Sequence, residues 1–376
     1  MAVSGTEKSH NASGSSFAVY LCNINRANAT SSLLSSSSAA APGNIQEGTS
    51  QISTEEEAFG LKLLSSSLTS EQECLLQLFL IRRLKKGAIY TGTGNFSGME
   101  FSLTEKPSSP AVCYYILLPC GSRNTQSEQA LICLLADTDT NLEVFRPELT
   151  LYCEALAQRI PQNATEFSKG LHAELSTWLA DCVYYVCRVL NTMGEEVAIL
   201  LQLAQQNRKV MGSDNVGPKA VADVQRFISS CAVVQYLGSI NKAESTDNSP
   251  VFLKTGSPGG KLRIDEINCN SYCMDWAQRL LSLGENCEPW KIRKVLEAFK
   301  LKTIKDMNTL KRFLKQSETD HYSLYRAYTF LLSSGNSDIL LKQVKMEGSS
   351  AGDVIDVLEQ HLNEMRPRHT PIHTIT

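Results

Sequence analysis

"GAIYTGTGNFSGMEF", residues 87–101, sets four glycines within twelve residues directly behind the basic run "RRLKKG". Two architectures compete for this stretch. A dinucleotide-binding unit brings a strand into its glycines and a helix out of them, so that unpaired N–H groups at the helix start face the pyrophosphate. An antiparallel layer uses glycines only to turn the chain. Gly92, Gly94 and Gly98 are spaced G-x-G-x-x-x-G, one residue too long for the fingerprint, and no Gly-Lys-Ser/Thr follows. Behind Gly98 comes "MEFSLTEKPSSP", which alternates apolar and polar and runs into Pro107 and Pro110, so no helix starts there. The reading is a hairpin with glycines at positive φ.

Working outward, "AIYTG", "MEFSL", "AVCYYILL" and "ALICLLA" read as strands, as does "FAVYLCNI" at 17–24. The segment from Thr54 to Lys86 reads as helical, with its acidic start and basic end. "LEVFRPELTLYCEALAQRI" returns to helical spacing. This order predicts an α+β fold: a mainly antiparallel sheet with flanking helices, longin-like or roadblock-like by analogy, followed by a largely helical C-terminal region. Residues 1–53 read as a short strand plus a disordered Ser/Ala/Asn-rich segment, 54–160 as the α/β layer, 161–365 as a helical domain with a loop or hairpin insertion near 241–270, and 366–376 as a disordered tail. Within 161–365, Phe167, Leu171, Leu175, Trp178, Leu179, Cys182, Val186, Leu190 and Met193 form one apolar stripe, and 221–240 a second helix.

The formal net charge of −3 excludes nucleic-acid binding by bulk charge. The densest apolar runs are about half the ~18 residues a membrane span needs, and no basic-plus-apolar leader opens the chain. Of the twelve cysteines, Cys113, Cys133, Cys153, Cys182, Cys187 and Cys231 lie inside apolar runs, as reduced core thiols do.

Candidate chemical motifs each fall short of a site. Asp137, Asp139, Asn141, Glu143 and Glu148 match the ligand positions of a calcium loop, but Leu142 stands where the loop needs glycine; the residues read instead as a turn and cap. Cys269 and Cys273, with Cys287 beyond, give one thiol pair where a structural zinc site needs two. His172 and Glu174 form half of a deaminase signature without its Pro-Cys-x-x-Cys half. No catalytic constellation assembles, and no cofactor or metal is expected.

The strongest local charge is "KIRKVLEAFKLKTIKDMNTLKRFLKQ", 291–316, with nine Lys/Arg against Glu297 and Asp306, a net charge of +7. Its apolar residues give buried stripes, and the basic residues are expected around them, facing solvent. Lys300, Lys302, Lys305, Lys311 and Arg312 form the candidate interaction face, for acidic protein segments or anionic lipid headgroups.

Here the chain resembles a known family. "VLEAFKLKTIKDMNTLKRFLKQSETDHYSLYRAYTFLLSSGNSDILLKQVKME" is similar to the C-terminal signature of the Njmu-R protein family, and "SYCMDWAQRLL" to its Phe-Cys-x-Asp-Trp element. "RRLKKGAIYTGTGN", "LEVFRPELTLY" and "LSTWLADCV" match in order, so the resemblance runs from about residue 75 to 365. It implies a non-enzymatic scaffold: the small third subunit of a complex with a large WD-repeat protein and a FAM-ninety-one-type protein. That complex sits at the trans-Golgi network and captures endosome-derived vesicles together with golgins and a TBC-domain bridging protein. The implied location is cytoplasmic and peripheral at the trans-Golgi network. The alternative from the residues themselves is a phosphoinositide- or anionic-membrane-binding adaptor acting through 291–316. A nucleotide- or metal-dependent enzyme using Gly92–Gly98 or the Cys269/Cys273 region is the third reading.

Overall fold

The computed structural model describes residues 14–24, 59–104, 109–120, 128–160, 168–233, 250–256, 261–264, 268–284, 286–346 and 352–365. Two compact units divide after Val183.

In the first unit five strands form one antiparallel sheet: β1 (Ser15–Ile24), β2 (Phe59–Ser66), β3 (Asn95–Gly98), β4 (Ala111–Pro119) and β5 (Glu128–Asp137), in the order β2-β1-β5-β4-β3. Register explains why the central strands read as unbroken apolar runs. Ala18, Cys133 and Tyr115 align across three strands, as do Val19, Ile132 and Ile116 one step on, and all six are buried. Alternate side chains point to opposite faces, so both faces of the sheet are covered. Helix α1 (Ser70–Lys85) covers one of them, placing Leu76, Leu80 and Leu84 against Tyr20, Cys113 and Leu131. Each such leucine contributes roughly 1.5–3 kcal/mol by burial. Helix α2 (Arg146–Arg159) packs on β4, with Tyr114 and Thr150 joined hydroxyl to hydroxyl at 2.8 Å. Helix α3 (Ser168–Leu175) packs on β2, and α4 (Trp178–Cys182) on α2.

Several expectations need revision. Phe59–Ser66 is a strand, not the start of a helix. Its serine run has poor helix propensity, and the helix starts only at a capping box in which Thr69 and Gln72 bond each other's backbone N–H. The helix start placed at Thr54 lies outside the described residues. "AIYTG" and "MEFSL" are not strands; the strand is Asn95–Gly98, running through the glycines themselves. Gly92, at φ 79°, closes a turn in which the Thr93 N–H donates to the Tyr90 carbonyl. Gly94 is small for a different reason: a Cβ there would sit 2.1 Å from the Tyr114 hydroxyl. The stretch therefore turns once and then pairs with β4, with no hairpin of its own. Because α3 and α4 pack on the sheet unit, the structural division falls at 183 where 160 was expected.

The second unit contains α5 (Tyr185–Met193), α6 (Val197–Gln206), β6 (Val210–Gly212), α7 (Pro218–Cys231), β7 (Val251–Thr255), β8 (Leu262–Ile264), α8 (Ser271–Leu281), α9 (Pro289–Ser317), α10 (His321–Ser334), α11 (Ser337–Met346) and α12 (Gly352–Met365). The expected hairpin is β7–β8, and β6 adds to it in parallel. The single stripe from Leu171 to Met193 is broken into α3, α4 and α5, although its described members are all buried. Two apolar cores form in this unit. The larger joins α5–α8 and the small sheet to Ile292, Leu296 and Phe299; the smaller joins Met307, Leu310, Phe313 and Leu314 to α10–α12. Helix α9 threads both.

Candidate interaction surface

At 29 residues, α9 is about 43 Å long. Pro289 stands in its first turn, where a missing N–H costs nothing. Near its middle the apolar stripe gives way to a buried polar cluster. The Thr303 hydroxyl accepts from Gln205 Nε2 at 2.9 Å, lies 3.0 Å from the Tyr272 hydroxyl, and donates to the Phe299 carbonyl. Gln343 Nε2 donates to the Gln205 carbonyl at 2.8 Å. This cluster fixes α9 against α6, α8 and α11.

The basic residues divide at this point. On the N-terminal side Arg293 and Lys300 are buried, 1% and 5% exposed, and Glu297 pairs with them at 2.5 and 2.8 Å. Lys300 is therefore not part of a surface. The expectation that these two cations face solvent fails because both are buried beside the Ile292, Leu296 and Phe299 stripe, where Glu297 meets their charged ends. Lys291 and Lys294 of the same stretch stay exposed. Lys302 is half exposed but pairs with the largely buried Asp306 at 2.5 Å. Lys311 is half-buried. Lys305 and Arg312 are exposed. They line a shallow groove of about 470 Å³ with Leu301, Ile304, Asn308 and Thr309.

Helix α10 adds residues that the charge pattern of 291–316 did not single out. Arg326 lies over the Phe313 ring at 4.8 Å, and Arg312 approaches the same ring at 5.5 Å. Beside Arg326 on α10, Tyr322 and Tyr325 are 66% and 60% exposed with ring centroids 6.2 Å apart. Asp320 caps this helix: its carboxylate accepts from the Tyr322 N–H and the Ser323 hydroxyl, each at 2.9 Å. Those two donors hold its carboxyl below the usual range. The helical period of the exposed tyrosines is the sequence signal that could have found them.

The other candidates have structural roles. Asp137 ends β5, Asn141 turns the chain at φ 51°, and Glu148 is buried in α2; no side chain caps that helix. His172 Nδ1 lies 3.3 Å from the Ser65 hydroxyl with its ring edge-on to Phe17, and Glu174 pairs with Arg159. Cys273 is buried, with its thiol 3.7 Å from Gln205 Oε1. The Cys273 thiol, by hydrogen bonding, holds Cys269 below the ordinary thiol range, and that bond together with burial pushes Cys273 up. Cys269 borders a cleft of about 410 Å³ with Ser271, Leu332, Asp338 and Leu362. Cys287 stands apart from this pair, beside Cys187. Among the described residues no group of three or more His, Cys, Asp or Glu is arranged to hold a metal ion, and no helix is long and apolar enough to cross a membrane.

Fold and surface together define an α+β protein with an antiparallel sheet unit and a largely helical unit that carries exposed guanidinium and tyrosine groups on one helix pair. The chain belongs to the Njmu-R1-like protein family, whose sequence pattern matches residues 28–364. It is 32% identical over 328 residues to Protein Njmu-R1 of Mus musculus, a match covering 81% of this chain and 81% of the mouse protein. No solved structure matches.

Proposed function

We propose that this chain is a non-enzymatic subunit of a complex at the trans-Golgi network that helps tether and capture endosome-derived vesicles. Its partners in this reading are a large WD-repeat protein and a FAM-ninety-one-type protein, with golgin and TBC-domain machinery engaged indirectly. The observation that carries the proposal is family membership across nearly the whole described chain. The cation–tyrosine surface of α9 and α10 supports it, since exposed arginine and tyrosine are the side chains enriched where protein subunits join others. On this reading the protein is cytoplasmic and peripheral, held at the membrane through its partners.

The test is affinity capture of the tagged full-length protein from its own cells. Stoichiometric recovery of the WD-repeat and FAM-type partners is expected. Recovery of the chain alone would contradict the proposal. The second reading, direct contact with anionic membranes, is favoured by the exposed Lys305 and Arg312. Flotation of the purified protein with phosphoinositide-containing liposomes separates the two: binding without partners supports the second reading, and no binding supports the first.

A further inference from the structure

We propose that the exposed face formed by Leu301, Lys305 and Arg312 of α9 and Tyr322, Tyr325 and Arg326 of α10 docks an acidic segment of a partner protein. The inference rests on the reading of the chain as a complex subunit, and it deepens that reading by naming the surface and the chemistry of what it binds.

The first observation is electrostatic. Arg312 and Arg326 come from different helices yet both lie within 5.5 Å of the centroid of one ring, that of Phe313. Like charges brought this close repel. Among the described residues no carboxylate pairs with either of them or with Lys305. On the same helix Lys291 is matched by Glu288, Arg293 and Lys300 by Glu297, and Lys302 by Asp306, while Lys294 lies over the Trp290 ring. Lys305, Arg312 and Arg326 thus bring unmatched positive charge to this exposed face, and an anionic occupant relieves it.

The second observation is geometric. A guanidinium held against an aromatic ring keeps its planar fork in a fixed orientation, which suits bidentate pairing with carboxylates. Next to it, Tyr322 and Tyr325 present two large rings with polar tips, and few rotamers are lost when such side chains are covered. Tyrosine and arginine are the side chains that dominate binding energy at protein interfaces. On the α9 side Leu301 is 66% exposed at the head of the groove that Lys305 and Arg312 line. An exposed leucine beside cations and tyrosines offers an apolar contact within a charged face, whereas attraction to a bilayer needs only cationic charge over a plane. A protein segment combining acidic residues with a leucine or phenylalanine anchor fits all of these features.

The experiment uses the full-length chain and a labelled glutamate-rich peptide with a leucine–phenylalanine anchor, read by fluorescence anisotropy. The same peptide with glutamine for glutamate is the control. Binding of the glutamate peptide is expected at low salt, falling as salt is added, with little binding of the glutamine peptide. R312E/R326E is expected to weaken it at least about tenfold, and Y322A/Y325A to weaken it as well. Unchanged thermal melting of both variants establishes that they fold. Equal binding of both peptides, equal binding by R312E/R326E, or no binding by the wild type overturns the proposal. So does arginine-dependent binding to phosphatidylserine vesicles without peptide binding. If the wild type recovers no partner from cells while the peptide behaves as expected, the subunit reading fails and the docking surface stands. If partners are recovered equally with wild type and R312E/R326E, the docking surface fails and the subunit reading stands.

Discussion

The two halves of α9 have nearly the same composition, yet only the first buries any of its cations. Before Thr303 two cations, Arg293 and Lys300, are drawn inward against the larger core to share Glu297, while Lys291, Lys294 and Lys302 stay exposed. After Thr303 it contributes to the smaller core with one side, and Lys305 and Arg312 stay in water. Basic residues at similar density thus include a buried pair in the first half and none in the second. Burial, not charge count, sets the halves apart.

That contrast can be broken from its strongest point downward. Phe299 is fully buried at the end of the N-terminal half. Phe299→Ala is expected to cost about 3–5 kcal/mol in chemical denaturation. Phe313→Ala, under the arginine pair and slightly exposed, is expected to cost less. Equal costs would mean that the two halves are packed alike. Glu297→Gln removes the carboxylate between two buried cations, and because Glu297 itself is partly solvated the expected loss is about 2–3 kcal/mol. Thr303→Val keeps shape but removes the hydroxyl that Gln205 and Tyr272 meet, for an expected loss of about 1–3 kcal/mol. Lys305→Glu and Arg312→Glu, by contrast, are expected to leave stability within about 0.5 kcal/mol. A larger effect would show that these cations are structural too.

The smallest effect expected is one of pH at the start of α10. The Asp320 carboxyl titrates below its ordinary value because the Tyr322 N–H and Ser323 hydroxyl bond its charged form. Its stabilising effect is therefore complete above the unfolded-state value near 4 and is lost as pH falls through the lower folded value. Amide exchange in the first turn of α10 should rise on that acid limb, and Asp320→Ala should remove the pH dependence without altering α9.

How much of this was legible depended on whether side-chain period and environment agreed. β1, β4 and β5 and the helices from α7 onward were readable because their apolar runs or stripes match one period only, although α7 ends at Cys231, with Ala232 extended, where the helix was expected to run over 221–240. β2 was hidden because Leu61, Leu63 and Leu64 fit a helix face as well as a strand, and only the capping box at Thr69–Gln72 marks where the helix truly begins. Helix α6 is buried on nearly every side, so Val197–Gln206 shows no stripe. β6 is three residues long and is defined by its partner β7, 39 residues or more away in sequence. At the surface, Lys305 and Arg312 were found from charge alone. The burial of Lys300 was not, because a lysine's long apolar stem lets it lie inside when a carboxylate meets its tip. Arg326, Tyr322 and Tyr325 join the surface through packing of α10 on α9, which a reading confined to one helix does not reach.

The central claim is that the outer face of α9 and α10 is where this chain meets its complex. Its most direct test is quantitative mass spectrometry of proteins recovered with tagged full-length chain from its own cells, comparing wild type with R312E/R326E. The account expects the WD-repeat and FAM-type partners at stoichiometric levels with the wild type and a loss of at least about tenfold with the variant, at equal expression and melting temperature. Undiminished recovery with the variant would contradict it.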